Sequence, residues 1–428
     1  MDSNGSVPSG DIRKSVHHEE EIVVVGGGIG GLACALALHR VGIKAVVLEQ
    51  SDALRAGGSA LALWNNAFNV LEVLGLSEQF RTMFTNLLAW EIMNSQGKTL
   101  AKLEFAECEG GPHDLRAVER SVVLEALARE LPEGTIRFNS RVSGIKKTES
   151  KTGITTVELQ DGSTYSAKVV IGFDGINSCV ASWMGLQKAQ SVGQVGIRGM
   201  AIFPEGHKFE EKAQLFLGKG CRTAYLPTSR TKVFWFFVWN DSSQGWQKTS
   251  EEQIKEESLQ QVLKSFPSTP LPSIISNTPL ERISKSTLRH RLNTDPESLV
   301  NGTITVAGDA AHPTTPNMGQ GGCMALEDAL ILTQKLYDAL RSPNIEELET
   351  LKATPEHERI HRALVEFQHE RHERTNFITT RSYRIGRMLQ TGWTVIDFIR
   401  DRFVIPLILN KNTFLAHTLF DVGKLPGQ

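Results

Sequence analysis

The feature that most constrains this chain is a glycine-rich loop between a short apolar run and a helical pattern. Residues 21–25 form a β-branched run, and the sequence GGGIGG follows at 26–31. Helical spacing over 29–41 and a second apolar run at 44–48 come next. This order predicts a strand–helix–strand unit of roughly 30 residues, the first half of a nucleotide-binding parallel sheet.

Each glycine of the loop has a separate physical reason to be there. Gly26 permits the tight turn after the strand, Gly28 lets backbone N–H groups approach a pyrophosphate, and Gly31 lets the helix pack closely on the sheet. The first helical turn, with Ile29 and Gly30, supplies the positive end of the helix dipole. The loop therefore predicts a dinucleotide phosphate site.

An acidic residue stands where a ribose would need one. Glu49 closes the second strand, 23 positions after Gly26, and a carboxylate there accepts hydrogen bonds from ribose hydroxyls. Because it would repel a 2′-phosphate, FAD and NAD fit this first site and NADP does not. A glycine-rich turn beside a solvated Glu49 is the structural alternative.

Composition excludes several other classes of function. The chain has 428 residues, which suggests two or three packed units, and 46 basic against 48 acidic residues give a net charge of −2. That balance offers no electrostatic footprint for nucleic acid. The five cysteines are scattered, without metal-ligand spacing. We expect a cytoplasmic protein, monomeric or dimeric, that has no metal site and acts on a small molecule.

A second strand–loop–helix segment follows about 250 residues later. An apolar strand at 303–307 ends at Gly308-Asp309, and a long helix is expected from about 321 to 340. An aspartate at a strand end can accept hydrogen bonds from ligand hydroxyls, and glycines at a helix start leave N–H groups open to a ligand. A capping aspartate before a structural loop is the alternative. The candidate ring-binding residues of this loop are Pro316, Gly319, Gly321 and Gly322.

Together these segments resemble a known family. The glycine loop with Glu49, and GDAAHPTTPNMGQGGCMALEDA at 308–329, resemble the class A flavoprotein monooxygenases. That family includes para-hydroxybenzoate hydroxylase, zeaxanthin epoxidase and related plant monooxygenases. The sequence VVIGFDGINS at 169–178 is similar to a third family element and implies that Asp174 and Gly175 lie near the FAD pyrophosphate. The family's basic residue a few positions later is absent, because the run here is Ser-Cys-Val-Ala.

The resemblance also suggests two arginines for the cofactor. Arg120 resembles the family's arginine at a helix start that contacts the flavin chain, with Arg116 as a competitor. Arg55 resembles the loop that follows the ribose acid. Arg198 and Tyr225, on predicted strands of the middle region, could line a substrate cavity.

The family implies an FAD-dependent enzyme that is reduced by NADPH or NADH and reacts with O2. A flavin C4a-hydroperoxide would then hydroxylate or epoxidise a small aromatic or unsaturated substrate. No second glycine-rich unit follows residue 60, which fits transient nicotinamide binding. No side chain is marked as catalytic, and His312 is expected to be structural. An FAD-dependent oxidase, a halogenase and a non-catalytic binding protein are the alternative functions.

The predicted fold is α/β, with a discontinuous Rossmann-like FAD-binding domain of the glutathione-reductase type. An inserted β-sheet substrate domain and a C-terminal helical segment complete it. The boundaries that we predict are a disordered lead-in at 1–20, FAD-binding segments at 21–76, 105–185 and 295–345, middle-domain segments at 77–104 and 186–294, and helices at 346–428.

The C-terminal helical segment contains an apolar stretch at 394–410 that charges interrupt. It is too short and too charged to cross a bilayer. Packing over the substrate domain, an oligomer interface and contact with a membrane surface all remain open, and we favour the first.

Overall fold

A parallel sheet assembled from distant parts of the chain is the central element of the computed structural model. The structure describes residues 16–54, 60–147, 153–241, 249–341 and 354–427. Within them the strands are β1 (His17–Val25), β2 (Ala45–Leu48), β3 (Ala60–Trp64), β4 (Ala89–Asn94), β5 (Thr99–Glu104), β6 (Leu115–Glu119), β7 (Ile136–Arg137), β8 (Val142–Lys147), β9 (Thr155–Leu159), β10 (Thr164–Gly172), β11 (Gln190–Ile202), β12 (Lys212–Gly218), β13 (Cys221–Ser229), β14 (Lys232–Asn240), β15 (Ile283–His290), β16 (Val300–Asn301) and β17 (Ile304–Val306).

The helices pack around two larger sheets. They are α1 (Ile29–Arg40), α2 (Asn65–Val73), α3 (Ser77–Met83), α4 (Arg120–Arg129), α5 (Cys179–Trp183), α6 (Glu251–Ser265), α7 (Leu271–Ser276), α8 (Gly321–Arg341), α9 (Glu356–Leu389), α10 (Thr394–Ile399) and α11 (Ile405–Ile408). A π-helical turn at Arg400–Val404 joins α10 to α11.

The first sheet has the order β16-β17-β10-β1-β2-β7, and β9 and β8 extend it from β10. Strand β1 pairs in parallel with β10 and β2, and β10 pairs in parallel with β17. The carboxyl ends of these strands therefore meet at one edge, which is where ligands bind in open parallel sheets. The predicted α/β class is confirmed.

The second sheet has the order β15-β11-β14-β13-β12-β4-β5. One face packs on α6 and α7 in a core that contains Tyr225, Trp235 and Phe237. The other face contributes Phe234 and Phe236, half-buried, to the main core of the molecule. The sheet draws on the chain segments that we assigned to the middle domain, and the domain boundaries themselves stay a prediction.

A buried carboxylate anchors β6, which pairs with β3 in a separate two-stranded sheet, to the second sheet. Glu119, at the end of β6, accepts hydrogen bonds from Lys232 at 2.5 Å and Arg282 at 2.9 Å. Burial alone would raise the pKa of Glu119, but these two cations outweigh it and hold the pKa below its usual range. Arg120 follows directly, so this ion-pair cluster fixes the start of α4 against the second sheet.

The first boundary that we predicted from the sequence was wrong. Strand β1 begins at His17, because 17–20 pair with 164–167 of β10, so these residues belong to the sheet and not to a lead-in. Of the rest of the expected lead-in, residue 16 is described and 1–15 lie outside the described residues. Residues 135–147 contain two short strands, β7 and β8, and the stretch 265–279 contains α7.

The last helices of the chain differ in how far their apolar side chains are buried. Helix α9 packs against α8 and buries Phe367, Arg371 and Ile378. Residues 393–407, in contrast, carry seven large apolar side chains that are exposed, so packing over the substrate domain does not cover them. Across the described residues, no helix has the length and hydropathy that a membrane crossing requires.

Candidate functional site

The glycine loop combines three very tight approaches with one open position. A Cβ on Gly31 would lie 2.0 Å from the Gly26 carbonyl oxygen, and one on Gly26, which has φ +107°, would lie 2.6 Å from the Phe173 oxygen. A Cβ on Gly30 would lie 2.6 Å from the Phe173 ring. At Gly28 the nearest atom is Arg120 Nη2, at 4.0 Å. Gly26, Gly30 and Gly31 therefore serve close packing, whereas Gly28 borders free space at the start of α1.

Glu49 reaches the loop as the spacing predicted. Its Oε2 accepts from the Gly27 N–H at 2.7 Å, and its Oε1 accepts from the Ser51 N–H at 2.8 Å. A carboxylate oxygen has more than one acceptor position, so both oxygens can still receive ribose hydroxyls. Ile29 is buried in the core behind the loop. Arg55 lies outside the described residues.

Asp174 lies against the loop, but its oxygens already have donors. Its Oδ2 accepts from the Cys179 N–H at 2.6 Å and its Oδ1 from the Ser178 hydroxyl at 2.5 Å. It thereby satisfies the N-terminus of α5, the role of a capping residue. A Cβ on Gly26 would lie 2.8 Å from the Asp174 Cα, so Asp174 also shapes the turn. Gly175 has φ +79° and open space around it.

Asp309 stands in a 3₁₀ turn at the carboxyl end of β17. Gly308 has φ +56°, and its N–H donates to Asp328 Oδ2 at 2.8 Å, which fixes the turn. The Asp309 side chain is exposed, yet desolvation raises its pKa, and the Arg120 charge opposes that rise. Asp309 is thus reached by water but surrounded by protein, which places it inside a cleft within electrostatic reach of Arg120.

Arg198 opens onto the same cleft from the second sheet. Its Nε donates to Ser284 Oγ at 3.2 Å, and its side chain is exposed. Desolvation lowers the pKa of Arg198, and the Arg120 charge lowers it further, so the two side chains interact electrostatically. The structure thus places Arg120 beside Gly28 and within electrostatic reach of Arg198 and Asp309, from four separate elements.

Tyr225 does not join this group. It faces the opposite side of the second sheet, where it is buried against Phe209 and Phe216 and its hydroxyl donates to Gln214. The prediction that Tyr225 lines the same cavity as Arg198 was wrong. Successive residues of a strand face opposite sides, and Tyr225 pairs with Trp235 whereas Arg198 pairs with the next residue, Phe236. Arg222, three positions earlier, faces the cleft side.

Phe234 and Phe236 were missed from the sequence. They lie on the same face as Arg198, and Phe236 is directly opposite Arg198 in the β11–β14 pairing. Alternation along β14 is the signal that separates them from Trp235 and Phe237, but all four residues are apolar. The wall that they form is half-buried and aromatic.

The proline–glycine loop is held from both sides. Asn317 Oδ1 accepts from Arg222, and its Nδ2 donates to the Ser382 carbonyl at 2.8 Å. Burial lowers the pKa of Arg222 to about 9. Gly319 has φ +61°, and a Cβ there would lie 3.1 Å from Trp64 Nε1. The loop therefore joins the second sheet to α9.

The end of this loop starts a long helix. Pro316 is exposed, and α8 begins at Gly321, whose Cβ would lie 3.9 Å from Asp309 Oδ1. Gly322 lies beside Leu61, with 3.4 Å between its would-be Cβ and that side chain. The N–H groups of the first turn of α8 thus begin beside the cleft and Asp309.

Two alternatives from the sequence can now be decided by geometry. Arg116 is buried and donates to Asp114 and to the carbonyl oxygens of Arg81 and Phe84, so it is a structural residue. Arg120 is the arginine that reaches the loop. His312 Nε2 lies 2.6 Å from Asp328 Oδ2, in agreement with a structural role.

These residues fit FAD. The open space at Gly28 and the adjacent guanidinium suit a pyrophosphate, and Glu49 suits a ribose. Asp309 and the start of α8 suit the ribityl chain and the ring. Two guanidiniums and one carboxylate give this part of the cleft a net positive charge, which suits an anionic dinucleotide.

Comparison with known proteins agrees with a site for FAD. Residues 19–368 match the family described as FAD binding domain. Monooxygenase 2 of Arabidopsis thaliana is 35% identical over 95% of this chain and 98% of its own length. The 3-hydroxybenzoate 6-hydroxylase of Klebsiella oxytoca is 31% identical, over 73% and 79% of the two chains.

A solved structure shows the same fold. Klebsiella pneumoniae HpxO, complexed with FAD and uric acid, superposes with a TM-score of 0.75 at 21% identity, covering 94% of this chain and 96% of that one. The family match and the two relatives confirm the resemblance predicted from the sequence motifs. The chain belongs to the FAD-binding domain family and is an FAD-dependent monooxygenase, an oxidoreductase of the aromatic-hydroxylase type whose members use NAD(P)H and O2.

Proposed function

We propose that this monooxygenase hydroxylates or epoxidises a small, electron-rich aromatic or unsaturated compound. The compound carries an oxygen atom that accepts hydrogen bonds. The observation that carries the proposal is the pairing of Arg198 with Phe236 on the sheet face that fronts the cleft. An aromatic wall binds a planar ring, and a desolvated guanidinium binds a carboxylate, phenolate or carbonyl oxygen. The relatives named for hydroxybenzoate, and the HpxO structure with uric acid, support this class.

The cofactor roles follow from the same geometry. We assign Gly28 and Arg120 to the pyrophosphate, Glu49 to the ribose, and Asp309 with the start of α8 to the flavin side. Bound FAD, reduced by NAD(P)H, supplies the oxygen-transfer chemistry. The protein's residues orient the ring, hold the substrate beside it and limit the access of water. The loop that contains Pro316 and Gly319 would form the wall next to the ring, and Arg222 and Asn317 would keep that wall in place.

The proposed cofactor residues can be tested by FAD affinity. Glu49→Arg and Asp309→Ala should each raise the FAD dissociation constant by about 10- to 150-fold, since each removes charged hydrogen bonds worth about 1.5–3 kcal/mol. The measurement is the flavin content after dialysis, followed by titration with FAD. Asp295→Ala is the control, because Asp295 caps an exposed turn elsewhere. If both variants stay fully yellow after dialysis, the assignment is wrong.

The substrate class can be tested by coupling. The FAD-loaded protein is given NADH or NADPH in air, together with a panel of phenols, hydroxybenzoates, indoles, purines and isoprenoids, and peroxide is quantified. A true substrate should speed nucleotide oxidation and lower the peroxide yield. No flavin reduction by either nucleotide, with any compound, would contradict the proposal and favour an oxidase or a halogenase.

The role of Arg198 gives a sharper version of this test. With the substrate so found, Arg198→Gln should raise KM by about tenfold or more, since it removes a charged hydrogen bond. Tyr225→Phe is the matched control, because Tyr225 lies on the far side of the same sheet and should leave KM unchanged. An equal effect in both variants would mean a general disturbance of the sheet and would remove the support for Arg198.

We also propose that the enzyme acts in the cytoplasm as a monomer or dimer. The nicotinamide would bind only transiently, because no second glycine-rich unit follows the first in the sequence.

A further inference from the structure

The segment after α9 exposes a concentrated apolar surface. Trp393 is 73% exposed, Phe398 66% and Leu407 76%, although nearby Ile405 and Leu409 are buried. Single exposed apolar residues are normal on a protein surface, but a contiguous group marks an interaction site. We call the following set the tail patch: Trp393, Val395, Ile396, Phe398, Ile399, Phe403 and Leu407.

The charges around the tail patch are basic. Residues 381–402 include five arginines and two aspartates. Both aspartates are bound by Arg400, which is buried, at 2.9 Å to Asp397 and 2.7 Å to Asp401. Arg384, Arg387 and Arg402 are exposed. The apolar surface is therefore accompanied by a net positive charge that its own aspartates do not cancel at the surface.

A groove on α9, the helix that precedes the tail patch, also has a basic lining. It has a volume of about 370 Å³ and is lined by Asn376, Phe377, Thr380, Arg381 and Arg384. The Arg381 guanidinium lies 5.7 Å from the centre of the Phe377 ring, which is itself 52% exposed. Two arginines beside an exposed aromatic ring suit an anionic headgroup above an apolar chain.

Three kinds of occupant could cover the tail patch, and charge distinguishes them. In a symmetric dimer the same patch faces itself, which would bring the arginines of two copies together. Like charges next to each other at an interface disfavour that arrangement. A spanning helix is absent from the described residues. A lipid surface offers an apolar interior below anionic headgroups and matches both parts of the patch.

The position of the aromatic residues agrees with a lipid surface. Trp393 lies at the start of the segment and Phe398 and Phe403 follow within it, and tryptophan is enriched where a protein enters the interface of a bilayer. The helical pieces are short, so they would lie in the plane of the interface and not cross it. We propose that the tail patch docks this enzyme onto an anionic lipid bilayer as a peripheral anchor. The inference is independent of the substrate proposed above.

Vesicle flotation with the full-length, FAD-loaded protein tests the proposal. Vesicles of phosphatidylcholine alone are compared with vesicles that contain about 30 mol% phosphatidylserine, at low salt and at about 0.5 M salt. We expect binding to the anionic vesicles that is at least about tenfold stronger than to the neutral ones and that weakens with salt. Phe398→Asp with Leu407→Asp should reduce binding by about tenfold or more, since both side chains would enter the interface.

The control is Met83→Asp, at a side chain 53% exposed at the end of α3. It should bind vesicles like the wild type, and all variants should retain FAD, which verifies folding. Arg402→Glu should weaken binding to anionic vesicles and leave binding to neutral ones unchanged. Absence of vesicle binding would overturn the proposal. A second outcome would also overturn it: the wild type is a dimer, the Phe398 and Leu407 substitutions make it monomeric, and neither form binds vesicles. The patch would then be an interface between copies.

Discussion

Arg371→Leu is expected to lower the free energy of unfolding by roughly 3–5 kcal/mol, the cost of leaving a buried carboxylate without its partner. Arg371 is 2% exposed and lies in α9, where its Nη2 donates to Glu327 at 2.6 Å and its Nε donates to Asp328 at 2.7 Å. Glu327 and Asp328, on α8, are equally buried. Arg374 also binds Glu327, at 2.6 Å, but does not reach Asp328 in the contacts observed. After removal of Arg371, the contacts observed for Asp328 would be those with His312 and with the Gly308 N–H.

The same substitution should weaken FAD binding. Asp328 accepts the Gly308 N–H and so holds the turn that presents Asp309. A shift of Asp328 would move Asp309 in the cleft. Urea unfolding of the FAD-loaded protein, followed by circular dichroism, measures the stability, and flavin release measures the second effect. Arg40→Ala is the control, since the Arg40–Glu130 pair is over one-third exposed on both sides and should contribute less than about 1 kcal/mol.

The pH dependence separates charge from packing. Burial alone would raise the pKa values of Glu327 and Asp328, but the neighbouring cations outweigh it and hold both well below their usual range. A depressed carboxyl pKa stabilises the fold above the unfolded value of about 4, and that contribution is lost as the pH falls further. In the variant, burial without Arg371 favours the protonated acid. The difference in the free energy of unfolding between wild type and variant should therefore narrow from pH 7 towards pH 4. A difference that does not depend on pH would mean that Arg371 acts by packing alone.

Local features of the cofactor site could be predicted from the sequence because neighbouring residues determine them. The turn at Gly26, the approach at Gly31 and the distance to Glu49 depend on one strand–helix–strand unit, whose hydrophobic pattern is clear. The proximity of Arg120 to Gly28 could be suggested by family resemblance alone. It depends on β6, which pairs with β3 and leads into α4, and on the anchoring of Glu119 by the second sheet.

The substrate side could not be predicted in the same way. Strand β13 is buried along nearly its whole length, on both faces. Such strands lose the alternation of polar and apolar residues, so the sequence does not say which face Tyr225 occupies. The same ambiguity hides Phe234 and Phe236 among their apolar neighbours in β14. The partner of Asp328 was hidden for another reason, because Arg371 comes from a separate helix, 43 positions further along the chain, and nothing local links the two.

Gly31→Ala and Gly28→Ala should separate the two functions of the glycine loop. A Cβ added at Gly31 would lie 2.0 Å from the Gly26 oxygen, so the backbone of the loop must move. Overpacking of this kind costs about 1–3 kcal/mol. We expect Gly31→Ala to lower the melting temperature of the protein both with and without FAD, and to raise the FAD dissociation constant by about 5- to 150-fold.

Gly28→Ala should behave differently, although it lies three residues away. Gly28 has φ −79° and ψ −178°, an extended conformation that alanine adopts, and its Cβ would meet Arg120 only at 4.0 Å. The protein without FAD should therefore be as stable as the wild type, or more stable by about 0.4–1 kcal/mol, because alanine restricts the unfolded chain. FAD binding should still weaken by about tenfold or more, since the methyl group would occupy the space left for the pyrophosphate. Thermal unfolding with and without FAD measures both quantities. Equal FAD affinity in Gly28→Ala and wild type would show that no phosphate approaches Gly28, and the cofactor would then have to be placed elsewhere in the cleft.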